Sequence, residues 1–102
     1  MAERTYDNAS QQRGFALAFL LAGHELQGLS PSDIAKALKV NPPLITRDLH
    51  NLTQAGVVEK IETTGRYRLG PRLVRVAIAH LTAMDSAEKH LAYLKNKYSR
   101  ES

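Results

Sequence analysis

The sequence predicts a mainly α-helical fold with one small β-hairpin. Two helix signals separated by a tight turn lie between Ser30 and Gly56, and two short alternating segments follow within residues 57–69. The length of 102 residues limits the chain to one domain with at most a helical appendage. Helix, turn, helix and hairpin in this order predict a winged helix-turn-helix over residues 8–84, with a C-terminal two-helix extension.

The first predicted helix follows a polar tail over residues 1–7 and ends near Gly23. Asn8 suits the N-cap, because its side chain can accept a hydrogen bond from the backbone of the first turn. We expect Gly28 to end this segment and Leu29 to pack in the core behind it. Helical spacing predicts the buried face of this helix as Phe15, Ala18, Phe19, Ala22 and Leu26.

The two helices of the helix-turn-helix are predicted from their first residues. Ser30 and Asn41 each precede a proline, so we expect them to cap a brief helix and a longer helix over 42–55. Gly56 supplies the left-handed residue that ends the longer helix. The expected buried residues are Ile34, Ala35 and Leu38 in the first helix and Ile45, Leu49 and Leu52 in the second.

The hairpin is predicted from alternation and from its turn residues. Two strands, over 57–62 and 66–69, are expected to pair around a turn at 63–65. In the second strand apolar residues alternate with Arg66 and Arg68. One face should therefore pack inward while the other presents two guanidinium groups.

Two further helices are predicted, over 72–84 and 86–98. The first is apolar over a wide arc, and Asp85 and Glu88 indicate a new helix start between the two. The apolar stripe of the last helix is narrow, as in a helix that pairs with another. We predict a homodimer through both helices, with residues 85–102 as a dimerisation element. The alternative is that both helices pack onto the core of their own domain.

Positive charge is concentrated in one segment. The chain has 14 lysines and arginines against 10 carboxylates, a formal net charge of +4 and a pI of about 9.6. The segment 60–79 has five basic residues and one acidic residue, so the net charge of the chain can be assigned to it. Such a basic surface is expected of a protein that displaces counterions from phosphates. The alternative is an ordinary solvated face.

Several function classes are disfavoured by what the sequence lacks. It has no cysteine, which excludes disulfides and thiolate sites and fits a cytoplasmic protein. Its four histidines are scattered, and neither a glycine-rich phosphate loop nor a nucleophile motif occurs. We therefore predict a protein that is not an enzyme and needs no cofactor or metal. The apolar run 15–22 is too short to span a bilayer, and the charged residues before it argue against a signal peptide.

Three stretches carry the most specific pattern of the chain. They are Gly28-Leu29-Ser30 leading into Asp33-Ile34-Ala35, then Leu49-x-x-Leu52-x-x-Ala55-Gly56-Val57-Val58, and finally Gly65-Arg66-Tyr67-Arg68-Leu69-Gly70-Pro71-Arg72-Leu73. In this order and spacing they resemble the N-terminal winged helix-turn-helix domain of the IclR family of bacterial transcriptional regulators. The resemblance covers roughly residues 13–84.

The resemblance implies a sequence-specific protein that binds double-stranded DNA, most simply a small transcriptional regulator. Members of the family usually have a larger C-terminal domain that binds a small effector. The chain stops at Ser102, where that domain would start, so no small-molecule effector site is expected.

The geometry of the motif also implies how DNA is bound. The N-terminal half of helix 42–55 is expected to enter the major groove. Arg47 is the first candidate for a base or phosphate contact, and Arg66 and Arg68 are expected to clamp the backbone or the minor groove. The candidate DNA-binding residues are Pro43, Leu44, Thr46, Arg47, His50, Asn51, Lys60, Thr64, Arg66 and Arg68.

The recognition helix departs from the family at its start. Pro43 and Leu44 stand where hydroxyl residues are common in the family, so the DNA site read by relatives does not carry over. Asp48 stands where an apolar residue is common in the family. Because a carboxylate repels phosphate, we expect Asp48 to orient Arg47 or Lys36, or to lie on an exposed face.

Two other functions stay open from the sequence. A winged helix can serve as a protein-interaction module, which would not need the arginines of the hairpin. The chain could also be a DNA-binding accessory factor of recombination, replication or packaging, for example from a phage or mobile element.

Overall fold

The computed structural model describes residues 6–100 of the chain. Within that range the fold is mainly helical with a two-stranded antiparallel hairpin, so the predicted winged helix-turn-helix is confirmed. Residues 1–5 of the predicted polar tail lie outside the described residues. In chain order the elements are α1 Ala9–Leu21, α2 Pro31–Leu38, α3 Pro42–Gln54, β1 Val58–Ile61, β2 Arg66–Leu69 and α4 Pro71–Arg100.

The first three helices begin as the sequence predicts. Asn8, Ser30 and Asn41 each have extended backbone, and each side chain accepts a hydrogen bond from the backbone N–H three residues later, at 3.0, 3.0 and 3.3 Å. Prolines occupy the first helical turn of α2 and α3, where a missing N–H costs nothing. Local chemistry therefore fixes where these helices start.

The core lies where α1, α2, α3 and β1 meet. The predicted buried residues of α2 and α3 are confirmed in large part, since Ile34, Ala35, Ile45 and Leu49 are buried. Leu38 and Leu52 are partly buried and pack against them, as does Leu29 from the loop before α2. The buried cluster consists of Leu17, Leu21, Ile34, Ala35, Ile45, Leu49 and Val58.

The predicted buried face of α1 is wrong for its aromatic residues. Phe15 and Phe19 are 65% and 74% exposed, and Leu26, which lies beyond the end of the helix, is 91% exposed. Leu17 and Leu21 fill the core instead. Since nearly every residue between 15 and 22 is apolar, spacing alone could not select a face. Contact with α2 and α3 selects it.

The hairpin is joined to the loop between α1 and α2. Leu29 and Tyr67 exchange backbone hydrogen bonds of 2.9 and 2.8 Å, which makes a short bridge beside β2. The preceding Gly28 has φ +68, and a Cβ there would lie 2.5 Å from the Tyr67 carbonyl oxygen. Only glycine fits this close approach, so the resemblance motif that includes Gly28 has a steric basis.

The C-terminal extension is one helix, which corrects the prediction of two helices over 72–84 and 86–98. Helix α4 is continuous over 30 residues, or about 45 Å. Asp85, predicted as part of a new cap, instead forms an i,i+4 ion pair of 3.2 Å with Lys89. No glycine or proline follows Pro71 within α4, so nothing in the sequence forces a break.

Helix α4 projects from the rest of the fold. It has no buried residue among those described. The Cα radius of gyration is 20.0 Å, against about 13 Å for a compact chain of this length. No helix within residues 6–100 is long and apolar enough to cross a membrane. The large apolar residues that α4 leaves exposed are Val74, Val76, Ile78, Leu81, Met84, Leu91, Tyr93 and Tyr98.

Candidate nucleic-acid interface

Helix α3 has a buried apolar side and an exposed polar side. Ile45 and Leu49 are 0% and 2% exposed and fix α3 against the core. Leu44 is half-buried, so it belongs only partly to the exposed surface. The predicted site residues on the exposed side are Pro43, Thr46, Arg47, His50 and Asn51.

Asp48 lies on the inner side of α3 and pairs with Arg13 of α1. Arg13 Nε and Nη2 donate to the two carboxylate oxygens of Asp48, and the second bond measures 3.0 Å. The two side chains are 17% and 9% exposed. The expectation that Asp48 orients Arg47 or Lys36, or lies on an exposed face, is therefore wrong. Asp48 borders the buried stripe, and this position brings it within reach of α1.

The Arg13–Asp48 pair joins two helices through a planar, two-bond contact. The hydrogen bond from Arg13 to Asp48 is the main cause that raises the pKa of Arg13 above its ordinary value. Arg13 therefore stays charged throughout the physiological pH range. The pair restrains the rotation of α3 about its axis, and so the direction in which Arg47 projects.

The polar side of α3 is partly engaged in bonds of its own. The Asn51 side-chain amide donates a 3.1 Å hydrogen bond to the Arg47 backbone carbonyl one turn earlier. This bond holds the Asn51 side chain along the helix. The side-chain carbonyl oxygen of Asn51 is not used by this bond and can accept a hydrogen bond from another group. Thr46, Arg47 and His50 have exposed side chains nearer the start of α3.

An open cleft of about 340 Å³ separates α2 from α3. Of the predicted site residues, Thr46 lines this cleft. Lys36 and Lys39, which the site prediction did not include, lie on its rim. The residues that line the cleft are Pro31, Ser32, Ala35, Lys36, Lys39, Val40, Pro42 and Thr46.

Arg66 of the hairpin is engaged with the loop before α2. Its Nε donates to the Gln27 carbonyl at 3.0 Å and its Nη2 to the Gly28 carbonyl at 3.1 Å. Nη2 also lies 3.7 Å from the Asp33 carboxylate in the first turn of α2. The side chain is still 35% exposed. Arg66 thus fastens the hairpin to α2, whose other side borders the cleft that contains Thr46.

Arg68 has a cross-strand partner that the sequence analysis did not pair with it. Glu59 lies opposite Arg68 in the β1–β2 register, and Arg68 Nε donates to its carboxylate at 2.8 Å. A longer contact of 3.4 Å joins Arg68 Nη1 to the Glu25 carbonyl. Glu59 offsets part of the positive charge on this face of the hairpin. The remaining predicted residues, Lys60 and Thr64, are exposed.

Comparison with known proteins supports the resemblance inferred from sequence. A glycerol operon regulatory protein of Streptomyces coelicolor is 34% identical over 84 residues, which cover 82% of this chain and 33% of that protein. An IclR transcriptional regulator from Alicyclobacillus acidocaldarius is 28% identical with a TM-score of 0.64, covering 70% of this chain and 28% of its own. Pseudomonas aeruginosa HmgR is 30% identical with a TM-score of 0.63, and the match covers 74% of this chain and 32% of HmgR.

A second kind of regulator has a similar fold. Staphylococcus aureus MepR, a transcription regulator of a multidrug efflux pump, is 26% identical with a TM-score of 0.52 over 79% of this chain. No protein-family model matches the chain. The resemblance to IclR-family regulators is confirmed, and the chain spans about a third of the length of the IclR-type relatives that it matches.

Sequence reasoning missed two residues that bear on the candidate site, Arg13 behind α3 and Lys39 at its rim. No aspartate or glutamate lies three or four residues from Arg13 in α1. The sequence therefore indicated only that an ion-pair partner of Arg13 would have to come from another element. Lys39 stands where the turn requires a left-handed residue, with φ 58. A glycine or asparagine is usual in such a position, so a lysine in the predicted turn could have been noted as unusual from the sequence.

Proposed function

We propose that the chain binds double-stranded DNA sequence-specifically and acts as a transcriptional regulator. The observation that carries this is the two-sided character of α3. Ile45 and Leu49 fix its inner side, while Thr46, Arg47 and His50 are exposed at its outer side. A rigid helix with exposed polar residues near its N-terminus fits the major groove. This function implies the bacterial cytoplasm, where DNA is accessible.

The candidate residues divide into three groups by their proposed role. Thr46, Arg47 and the nearby Pro43 and Leu44 lie early in α3 and face base edges, with Arg47 as the main reader. His50, Asn51, Lys60 and Thr64 contact the backbone. Arg66 and Arg68 hold the hairpin in place through their intramolecular bonds and offer their remaining exposed surface to phosphate.

Replacing Arg47 by alanine is expected to relax sequence preference at one position in each half-site. A bidentate arginine–guanine contact contributes about 1–3 kcal/mol of discrimination. Selection of bound duplexes from random DNA, for wild type and variant, measures the preference. Arg68→Ala should instead weaken all duplexes alike, because a phosphate contact carries no base information. Lys97→Gln, at the far end of α4, is the control for loss of one charge. An unchanged consensus and affinity for Arg47→Ala would show that α3 is docked wrongly.

The same proposal includes a homodimer formed through α4. Apolar residues recur along this helix at spacings of three and four from Val74 to Met84 and at spacings of seven from Met84 to Tyr98, which is the heptad pattern of a helix that pairs with another. Those up to Leu91 are exposed, so this part of the pattern has no partner within the described residues. We call this set the α4 seam: Val74, Ala77, Leu81, Met84, Leu91 and Tyr98.

A second copy of the chain is the proposed partner of the α4 seam. Symmetric pairing doubles the DNA contacts, and it covers an apolar surface that one copy leaves in water. Glu88 and Lys95 interrupt the seam in the same register. Polar residues at such positions lower the stability of a coiled coil while fixing its register, so the dimer should be weaker than one with an uninterrupted apolar seam.

A protein-interaction module is the second candidate function, and one observation favours it. Both hairpin arginines are engaged in intramolecular bonds, whereas Phe15 and Phe19 are exposed with their rings 6.4 Å apart. Beside them is an apolar pocket of about 260 Å³ that includes Ala18. Titration of duplex DNA at several salt concentrations separates the two functions. A steep fall in affinity with salt supports DNA binding, and no binding in dilute buffer supports the interaction module.

A further inference from the structure

Lys39 is held in a backbone conformation that disfavours lysine. It ends α2 with φ 58 and ψ 45, and no other residue except glycine has positive φ within the described residues. The conformation is required locally, because the Lys39 N–H donates to the Ala35 and Lys36 carbonyls as the chain leaves the helix. Glycine would adopt it without the steric cost of a Cβ, and asparagine at lower cost.

The Lys39 side chain does not compensate for this cost within the described residues. The Lys39 side chain is exposed, and it makes no hydrogen bond or ion pair with residues 6–100. It contributes nothing to the buried cluster. A strained residue without internal compensation indicates a role outside the fold.

The position of Lys39 indicates what that role is. It lies on the rim of the α2–α3 cleft, one helical turn after Lys36 and two residues before the Asn41 cap of α3. The cleft also contains Thr46 of the exposed side of α3. Both lysines thus line the cleft beside the start of the helix proposed to enter the groove.

We propose that Lys39 and Lys36 form a phosphate-binding site that holds the DNA backbone at the α2–α3 cleft. This inference rests on the proposed DNA-binding function and adds a contact to it. Lysine at position 39 costs fold stability and supplies a positive charge that glycine lacks. Because a phosphate is present at every nucleotide, the contact strengthens binding to all duplexes equally.

The test is to replace Lys39 by glycine and by arginine. Lys39→Gly should raise Tm by about 2–6 °C, because it removes backbone strain. It should also lower affinity for every half-site duplex by about eightfold at 0.1 M salt and reduce the salt slope by about 0.9, as loss of one phosphate contact does; a dimer on a two-half-site duplex loses two such contacts, so both effects on the logarithm of affinity should double. Lys39→Arg keeps the charge and the strain, so it should retain wild-type affinity and Tm.

Two further variants sharpen the result. Lys36→Gln should reproduce the loss of affinity and slope without the rise in Tm, because Lys36 lies in ordinary helix. Lys97→Gln removes an equal charge from the far end of α4 and should leave the salt slope unchanged.

The outcomes distinguish failure of the phosphate site from failure of the proposed DNA binding. If the wild type binds duplexes with a steep salt slope and Lys39→Gly has the same slope and affinity, the phosphate site is wrong while DNA binding stands. If the wild type binds no duplex in dilute buffer, the proposed function and the phosphate site are both wrong. Higher Tm together with weaker, less salt-dependent binding supports the site.

Discussion

Replacing Leu81 and Leu91 by lysine is expected to make the protein monomeric and to lower its affinity for a two-half-site duplex by about 100-fold or more. Both residues belong to the α4 seam and are 66% and 53% exposed in one copy. Burying a charged lysine in the seam is unfavourable, so the two helices separate. Each copy then binds one half-site alone and loses the gain from linking two contacts.

Lysine is the informative replacement because it adds positive charge. Added charge by itself would strengthen non-specific DNA binding, so a loss of affinity cannot come from electrostatics. The matched control places lysine at Val76 and Tyr93, which are 62% and 60% exposed on α4 but lie outside the seam. That variant should stay dimeric.

Sedimentation equilibrium over a range of protein concentrations measures the oligomeric state, and titration of whole and half-site duplexes measures binding. The dimer proposal fails if the wild type sediments as a monomer at all concentrations, or if both lysine variants behave alike.

Breaking the Arg13–Asp48 pair from one side is the second large effect that we expect. Asp48→Ala should lower the free energy of unfolding by about 2 kcal/mol, because it leaves the Arg13 guanidinium without its acceptor. The full cost of an unpaired buried charge is larger, but the Arg13 side chain is 17% exposed and regains some water. For a domain of this size the change corresponds to a fall in Tm of about 10 °C.

A double variant tests whether the lost pairing is the cause. Arg13→Met with Asp48→Leu removes both charges and fills similar space, so it should cost much less than the sum of the two single changes. Denaturant unfolding of the wild type, Arg13→Met, Asp48→Leu and the double variant gives this coupling. Equal costs for the double variant and the summed single variants would mean that the pair contributes no interaction of its own.

The pH dependence of this effect follows from the sign of the pKa shift. The pKa of Arg13 is raised in the folded state, so its stabilising contribution is present below the pKa of the unfolded chain and is lost only above the folded value. Both values lie in strongly alkaline solution. The difference in unfolding free energy between wild type and Arg13→Met should therefore be constant between about pH 6 and pH 9.

The starts of the helices could be predicted from sequence because the groups that define them are close along the chain. Asn8, Ser30 and Asn41 each bond a backbone N–H three residues away. The register of the hairpin follows from its turn and from alternation. The three specific stretches, taken in their order and spacing, were sufficient to identify the similarity to IclR-family regulators, and the comparisons confirmed it.

The sequence alone thus determined the order of the elements up to the hairpin, the caps of the first three helices and the family resemblance, because the residues of each cap or motif lie close together along the chain. Tertiary structure decided which side of α1 is buried and gave Asp48 its partner 35 residues away. It also gave Arg66 its acceptors 38 and 39 residues away in the loop before α2. These features require elements that are distant in sequence to meet, and spacing along one helix or strand carries no information about which elements meet.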